Sequence, residues 1–387
     1  MILLALAVAA ATQGPWPTSG WPRTNPEAAG FSTAVLDSVD AEVRSGRYGF
    51  VDRILLIRRG ELAWERRYRH DYDSIYGDSA RLATTLRTHD RGGPYNYFDD
   101  WWHPYYRRGE LHTLQSVTKT ITSIIIGAAV THGEFPPLDT PVLSFFNPDS
   151  VANVDARKRR MTIRHLLTMT AGLDWDEARP YGDTANTAIH LEGSYDWVAF
   201  AINRPMSEEP GSRFNYNSGA SQLLAHVFRR ATGMDIEEYA ARNVFGPLGI
   251  RDWYWKRTPA GVADTEGGLY LAAEDLARLW YLWLRGGTWD GRRVISAEWV
   301  RQSVTPAIRA GGGAAGSVWY GYKWWLYPNP LDSTRTVWGG SGFGGQFPLA
   351  VPEDDVIMVV NQWNILPGRP GMPSRQVLGR ILRTMRR

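Results

Sequence analysis

The sequence predicts an α+β fold, and three observations carry that expectation. Strand-like runs lie near both ends of the chain, at 51–68 and between 334 and 361. Most segments between them space their apolar residues at helical intervals. Strands at both ends of a helical middle bring the N- and C-terminal segments into one sheet.

The elements follow in order. Residues 14–28, GPWPTSGWPRTNPEA, are a Pro/Gly-rich connector. Val35, Leu36 and Val39 place a helix over 32–45. VDRILLIRRGELAWERRY (51–68) reads as two strands joined at Arg59-Gly60, and 69–110 as a polar, aromatic excursion. A helix is expected from Ser116 to about Thr131, with Gly133 as its stop. Further helices are expected over 161–173 (started by Thr162, stopped by Gly172), 218–233, 270–287 and 296–303. Thr334–Trp338, Gly345–Val351 and Val356–Asn361 close the chain as short strands.

Composition narrows the function. The 387 residues suffice for a large core in one domain or two lobes. A formal charge of +3, from 43 basic and 40 acidic side chains, gives no reason to expect a nucleic-acid partner. Cysteine is absent, which removes thiol nucleophiles, disulfides and cysteine-ligated metals. The start, MILLALAVAAATQG, is apolar and ends in small residues like a secretory signal, but lacks a basic leader. The expectation is a secreted or periplasmic protein, with a cytoplasmic one as the alternative. No stable membrane insertion of the mature domain is expected, since no segment reaches 18 uninterrupted apolar residues.

The chemistry centres on LHTLQSVTKTITSIII (111–126). On a helix starting at or just before Ser116, Ser116 and Lys119 share a face. A serine hydroxyl needs a base to become a nucleophile, and a lysine amine can supply one. The spacing alone is a weak signal, because a capping serine followed by an exposed lysine reads the same way. RFNYNSG (213–219) offers Tyr216, whose proton a nearby cation would loosen. It also offers Asn217, suited to hold Lys119 or a substrate amide; a turn tyrosine and an Asx turn remain the plain alternative. WGGSGFGGQ (338–346) contains G-x-G-x-x-G at Gly340, Gly342 and Gly345, but no helix follows to receive a pyrophosphate. Such a glycine-rich strand edge could present an N–H to an oxyanion. There is no G-x-S-x-G elbow and no H-E-x-x-H, and His165 reads as a packing or capping residue. No metal or organic cofactor is required.

These pieces together resemble the serine β-lactamase and penicillin-binding-protein superfamily, most closely the class C β-lactamase-related esterases and 6-aminohexanoate-dimer hydrolases. The resemblance rests on Ser116-Val117-Thr118-Lys119, on the element around Tyr216, on MTIRHLLTMTAGL, and on Gly344-Gly345-Gln346 before the last strands. It spans about 30–365 in consistent order. It implies a β-lactamase/transpeptidase-like fold: an antiparallel sheet flanked by helices (about 30–135 and 265–387) and a mostly helical lobe (about 136–264), after a leader at 1–29. It implies Ser116 as the acylated nucleophile and Lys119 with Tyr216 as the proton-transfer pair. The Ser116 N–H and one near Phe343 would form the oxyanion hole.

Two departures shape the substrate expectation. The family's third element carries Lys or His, whereas this chain has Gly340-Ser341-Gly342, without the cation that meets a β-lactam carboxylate. The polar partner two residues after Tyr216 is Ser218, so Ser218 competes with Asn217 for the place near Lys119. Tyr181, in RPYGDTAN, is a candidate to contact a leaving-group amide nitrogen, or a loop anchor. The expectation is a serine hydrolase of small esters or amides. The alternative is a β-lactamase or D-amino-acid peptidase acting on β-lactams or cell-wall peptides.

Overall fold

A computed structural model describes residues 16–72, 74–76, 110–181, 183–313, 316–365 and 371–386. The signal-like start and the aromatic cluster at 96–108 lie outside them.

The first helix, α1 (Thr33–Arg44), leads into strands β1 (Val51–Arg58) and β2 (Glu61–Arg67). Their hairpin turns at Arg59 and Gly60, with φ of 51° and 84°, the left-handed pair that a tight hairpin demands. After β3 (His112–Thr113) comes α2 (Val117–Thr131), and Gly133 at φ 74° marks its end. The helical region holds α3 (Ile163–Leu167), α4 (Thr187–Gly193), α5 (Trp197–Ile202) and α6 (Ser218–Thr232). Strands β4 (Tyr254–Trp255) and β5 (Leu269–Leu271) precede α7 (Ala273–Leu284). A small hairpin of β6 (Thr288–Trp289) and β7 (Arg292–Arg293) leads to α8 (Ala297–Ser303). The chain closes with β8 (Ile308–Gly313), β9 (Gly316–Tyr320), β10 (Trp325–Pro328), β11 (Thr336–Gly339), β12 (Phe347–Val351), β13 (Val356–Gln362) and α9 (Ser374–Thr384).

Eight strands form one sheet in the order β2-β1-β13-β12-β11-β10-β9-β8, and every described pairing in it is antiparallel. The two ends of the chain meet where β1 pairs with β13, Ile54 opposite Val360 and Leu56 opposite Met358. Side-chain alternation splits β1 between two cores. Ile54 and Leu56 pack with Leu36, Val39, Leu378 and Ile381 from α1 and α9. Leu55 and Ile57 face the larger core shared with α2 and α7. Burial on both faces explains the unbroken apolar run Ile54–Ile57 in β1, which has no polar alternation to announce its register.

Two expected elements differ, and some observed ones were not expected. The helix at 161–173 ends at Leu167, because Thr168 turns its hydroxyl back to the Arg164 carbonyl and Met169 enters the left-handed region at φ 59°. Tyr270 and Leu271 belong to β5, pairing with Thr113 and His112 ahead of α7. Strands β8 to β10 and the helix α9 carried no expectation, since the Gly- and aromatic-rich 308–328 stretch lacks a clean period of two.

Candidate active site

Ser116 sits where β3 gives way to α2. The Leu114 N–H bonds the Leu269 carbonyl at 2.9 Å, and the Thr118 hydroxyl receives the Leu269 N–H at 3.2 Å. Between them Gln115 is held at φ 47°, a costly conformation for a residue with a Cβ. That sharp turn lifts Ser116 onto the first turn of a helix buried along nearly its whole length. The helix is anchored from behind by α8: the Trp299 indole bonds the Ser123 carbonyl at 3.2 Å.

Lys119 is 1% exposed and spends its three N–H bonds on three acceptors. These are Ser116 Oγ at 2.9 Å, the Glu266 carbonyl at 2.7 Å and Glu266 Oε2 at 3.1 Å. Burial opposes the charge on Lys119, but the negative potential of Tyr216, Glu266 and Glu177 outweighs it and holds the ammonium above the usual lysine range. Burial works the other way on Glu266, and the lysine contacts more than reverse it, so this carboxyl lies well below its ordinary value. Asp264 fixes the turn by accepting the Glu266 and Gly267 N–H groups at 3.0 and 2.9 Å. Glu192 from α4 stands behind Glu266 and is pushed far up by burial and by Glu266, so it is the protonated member of the two.

The Lys119 ammonium lies 5.1 Å from the centroid of the Tyr216 ring, a cation–π distance. Tyr216 stacks on Trp325 of β10, centroids 5.9 Å apart. Burial raises the Tyr216 phenol, Lys119 and the Ser116 hydroxyl draw it back, and the net shift is upward. Asn217 does not reach Lys119 with a hydrogen bond; its carboxamide oxygen caps α6 by accepting the Ala220 N–H at 2.8 Å. Ser218 is likewise engaged elsewhere, its hydroxyl and N–H both bonding Glu177 at 2.7 and 2.8 Å.

Glu177 also accepts from the Trp175 indole at 2.8 Å and from Tyr181 at 3.2 Å. Tyr181 meets Phe343 edge-on, centroids 5.1 Å apart, so helical region and sheet touch across the cleft. Phe343 lies in the loop joining β11 and β12, which packs tightly against Ser116's neighbours. A Cβ at Gly342 would stand 2.4 Å from the Leu114 carbonyl, and one at Gly340 would stand 3.1 Å from Val117. Ser341 hydrogen-bonds Tyr327. Among the described residues no main-chain acceptor takes the Ser116 N–H, which stands at the start of α2.

The geometry therefore brings Ser116, Lys119 and Tyr216 into direct contact range and sets the Gly340–Gly345 loop beside them. Sequence reasoning passed over Glu266, Glu192 and Glu177. The only sequence signal for Glu266 was DTEGG (264–268), an Asp-plus-double-glycine turn before a strand. For Glu177 it was the acidic pair Asp176-Glu177 that follows MTIRHLLTMTAGLDW.

A family model described as Beta-lactamase matches residues 75–374. The chain belongs to that family. Its curated relatives include a 6-aminohexanoate-dimer hydrolase of Paenarthrobacter ureafaciens, 26% identical over 283 residues, covering 67% of this chain and 69% of the relative. Esterase EstB of Burkholderia gladioli is 31% identical over 154 residues, 38% of each chain. Among solved structures, a penicillin-binding protein homologue from Caulobacter crescentus superposes with a TM-score of 0.62 at 18% identity, covering 92% of this chain and 96% of its own. Fold and family make this β-lactamase-related protein a serine hydrolase by mechanism class. Among the described residues no helix is long and apolar enough to cross a membrane.

Proposed function

We propose that this β-lactamase family member hydrolyses small esters or amides through an acyl-enzyme on Ser116. The observation that carries the reading is the 2.9 Å contact from Lys119 Nζ to Ser116 Oγ, with the Tyr216 ring against the same ammonium. Ser116 Oγ attacks the substrate carbonyl carbon, and its proton passes to the Lys119/Tyr216 pair, which titrates as one unit. The carbonyl oxygen becomes an oxyanion facing the Ser116 N–H and the loop at Phe343. The C–O or C–N bond to the leaving group then breaks, and the pair returns the proton to that group. Water repeats the sequence on the acyl-serine and frees the acid.

The preference for neutral esters and amides follows from the Gly340-Ser341-Gly342 stretch, which offers a hydroxyl where a β-lactam carboxylate would need a cation. The contacts of Tyr181 with Phe343 on one side and Glu177 on the other support a role for it in meeting the leaving group. Incubation with a fluorophosphonate should give a single adduct by intact mass that maps to Ser116 and is absent in Ser116→Ala. An adduct on another residue overturns the assignment. Short p-nitrophenyl esters should be turned over faster than a chromogenic cephalosporin, and the reverse order would make β-lactams the substrate.

A further inference from the structure

Lys323 breaks two local rules at once. It sits between β9 and β10 at φ 65°, where glycine would be cheaper. Its side chain is nonetheless 1% exposed, and among the described residues its amine meets no carboxylate and no carbonyl. The recorded partner is Met169 Sδ at 3.2 Å, a weak acceptor. The backbone is clamped there by the Leu167 carbonyl at 3.0 Å and by the Thr120 hydroxyl, one residue past Lys119, at 2.8 Å. Met169 is itself at φ 59° and leads straight to Tyr216: its carbonyl takes the Asn215 N–H at 2.8 Å, and its sulfur the Asn217 N–H at 3.4 Å. Strained residues that persist together beside a reaction centre point to a role in it.

The two buried amines are provisioned unequally. Lys119 has three oxygen acceptors and Lys323 one sulfur. The charged groups that face Lys323 are Lys119 from α2 and Glu177 from the loop after β-bridged Leu173. Burial first, then Lys119, holds the Lys323 amine well below the lysine range, with Glu177 opposing.

We propose that Lys323 is the second amine of the acylation site, a positioning residue that shares one ammonium charge with Lys119. The inference rests on the acyl-enzyme reading above. In the resting form the proton is on Lys119. In a minor form it is on Lys323, and Lys119 is a free base able to take the Ser116 proton. Interconverting the two forms needs no net proton uptake, so the population of free-base Lys119 is independent of pH wherever the pair holds one proton. A site with Lys119 alone would gain its free base only by losing a proton to solvent.

The test compares wild type with Lys323→Met, which keeps the length and removes the amine. Fluorophosphonate labelling of Ser116, followed by intact mass between about pH 6 and about pH 8, should be nearly flat with pH in wild type. In Lys323→Met it should climb by about tenfold per pH unit. A purely structural lysine would leave the two profiles parallel, and that result overturns the inference alone. Absence of a Ser116 adduct in wild type overturns the acyl-enzyme reading and this inference with it. Urea unfolding supplies a readout free of catalysis. The unfolded chain binds more protons than the native one between the two Lys323 pKa values, so wild type should gain on Lys323→Met as pH rises toward the lysine range. A pH-independent difference means the amine is charged in the fold, and overturns the proposal.

Discussion

Lys119 gives two of its three N–H bonds to Glu266, one to the carbonyl at 2.7 Å and one to the carboxylate at 3.1 Å. The third goes to Ser116. Glu266 thus joins Tyr216 and Glu177 in setting how firmly the candidate base holds its proton. Glu266 raises both Lys119 and Tyr216. Glu266→Gln should therefore raise the rate of Ser116 labelling at neutral pH, whichever of the two takes the serine proton, because either would release its own proton more easily. The substitution keeps the carbonyl contact, so the fold should survive with a reduced Tm. An unchanged labelling rate would show that Glu266 only packs.

Tyr216 separates chemistry from architecture. Its ring stacks on Trp325 and carries the cation contact, and both survive in Tyr216→Phe. Only the hydroxyl is lost. Removing a proton-transfer group costs about 10²–10⁴-fold in kcat, and Tyr216→Phe should fall in that range with little change in Tm. A loss below tenfold would assign proton transfer to Lys119 alone.

How far the sequence could be read depended on whether a feature is local. The S-x-x-K turn, the Arg59-Gly60 hairpin and the Gly133 stop each depend on residues a few positions apart. They were legible as period, cap or left-handed glycine. Glu266 is 147 positions from the lysine it neutralises, and nothing in DTEGG points to that partner. Lys323 is harder still, since a lysine in an aromatic stretch reads as a surface residue until its burial is known. Asn217 shows the reverse case: the polar residue beside Tyr216 looked like a site group, while its side chain is spent on starting α6.

The β11–β12 loop makes a steric prediction. Gly342 lets the loop approach so closely that a methyl group there would lie 2.4 Å from the Leu114 carbonyl, two residues before Ser116. Backbone cannot yield as a flexible side chain would. Gly342→Ala should lower stability by about 1–3 kcal/mol, as overpacking does. On the proposed reading that the loop at Phe343 faces the oxyanion, it should also slow Ser116 labelling. Unfolding in urea and labelling rate measure the two effects separately. A fully active, equally stable variant would place the loop farther from Ser116.

Glu192 supplies a prediction in the opposite pH sense. Burial and the neighbouring Glu266 keep it protonated in the fold, above the value it takes in an unfolded chain. Its favourable contribution is complete below the unfolded value, near 4.5, and is lost as pH rises through the folded one. Glu192→Gln keeps a donor toward Glu266 and cannot ionise. Its stability relative to wild type should therefore improve steadily from acid to alkaline pH, read as the Tm difference by calorimetry. Because Glu266 keeps its negative charge in this variant, the rate of Ser116 labelling should stay where it is, in contrast to Glu266→Gln. A Tm difference that ignores pH would mean that Glu192 is ionised in the fold, and the carboxylates behind Lys119 would then carry one more negative charge.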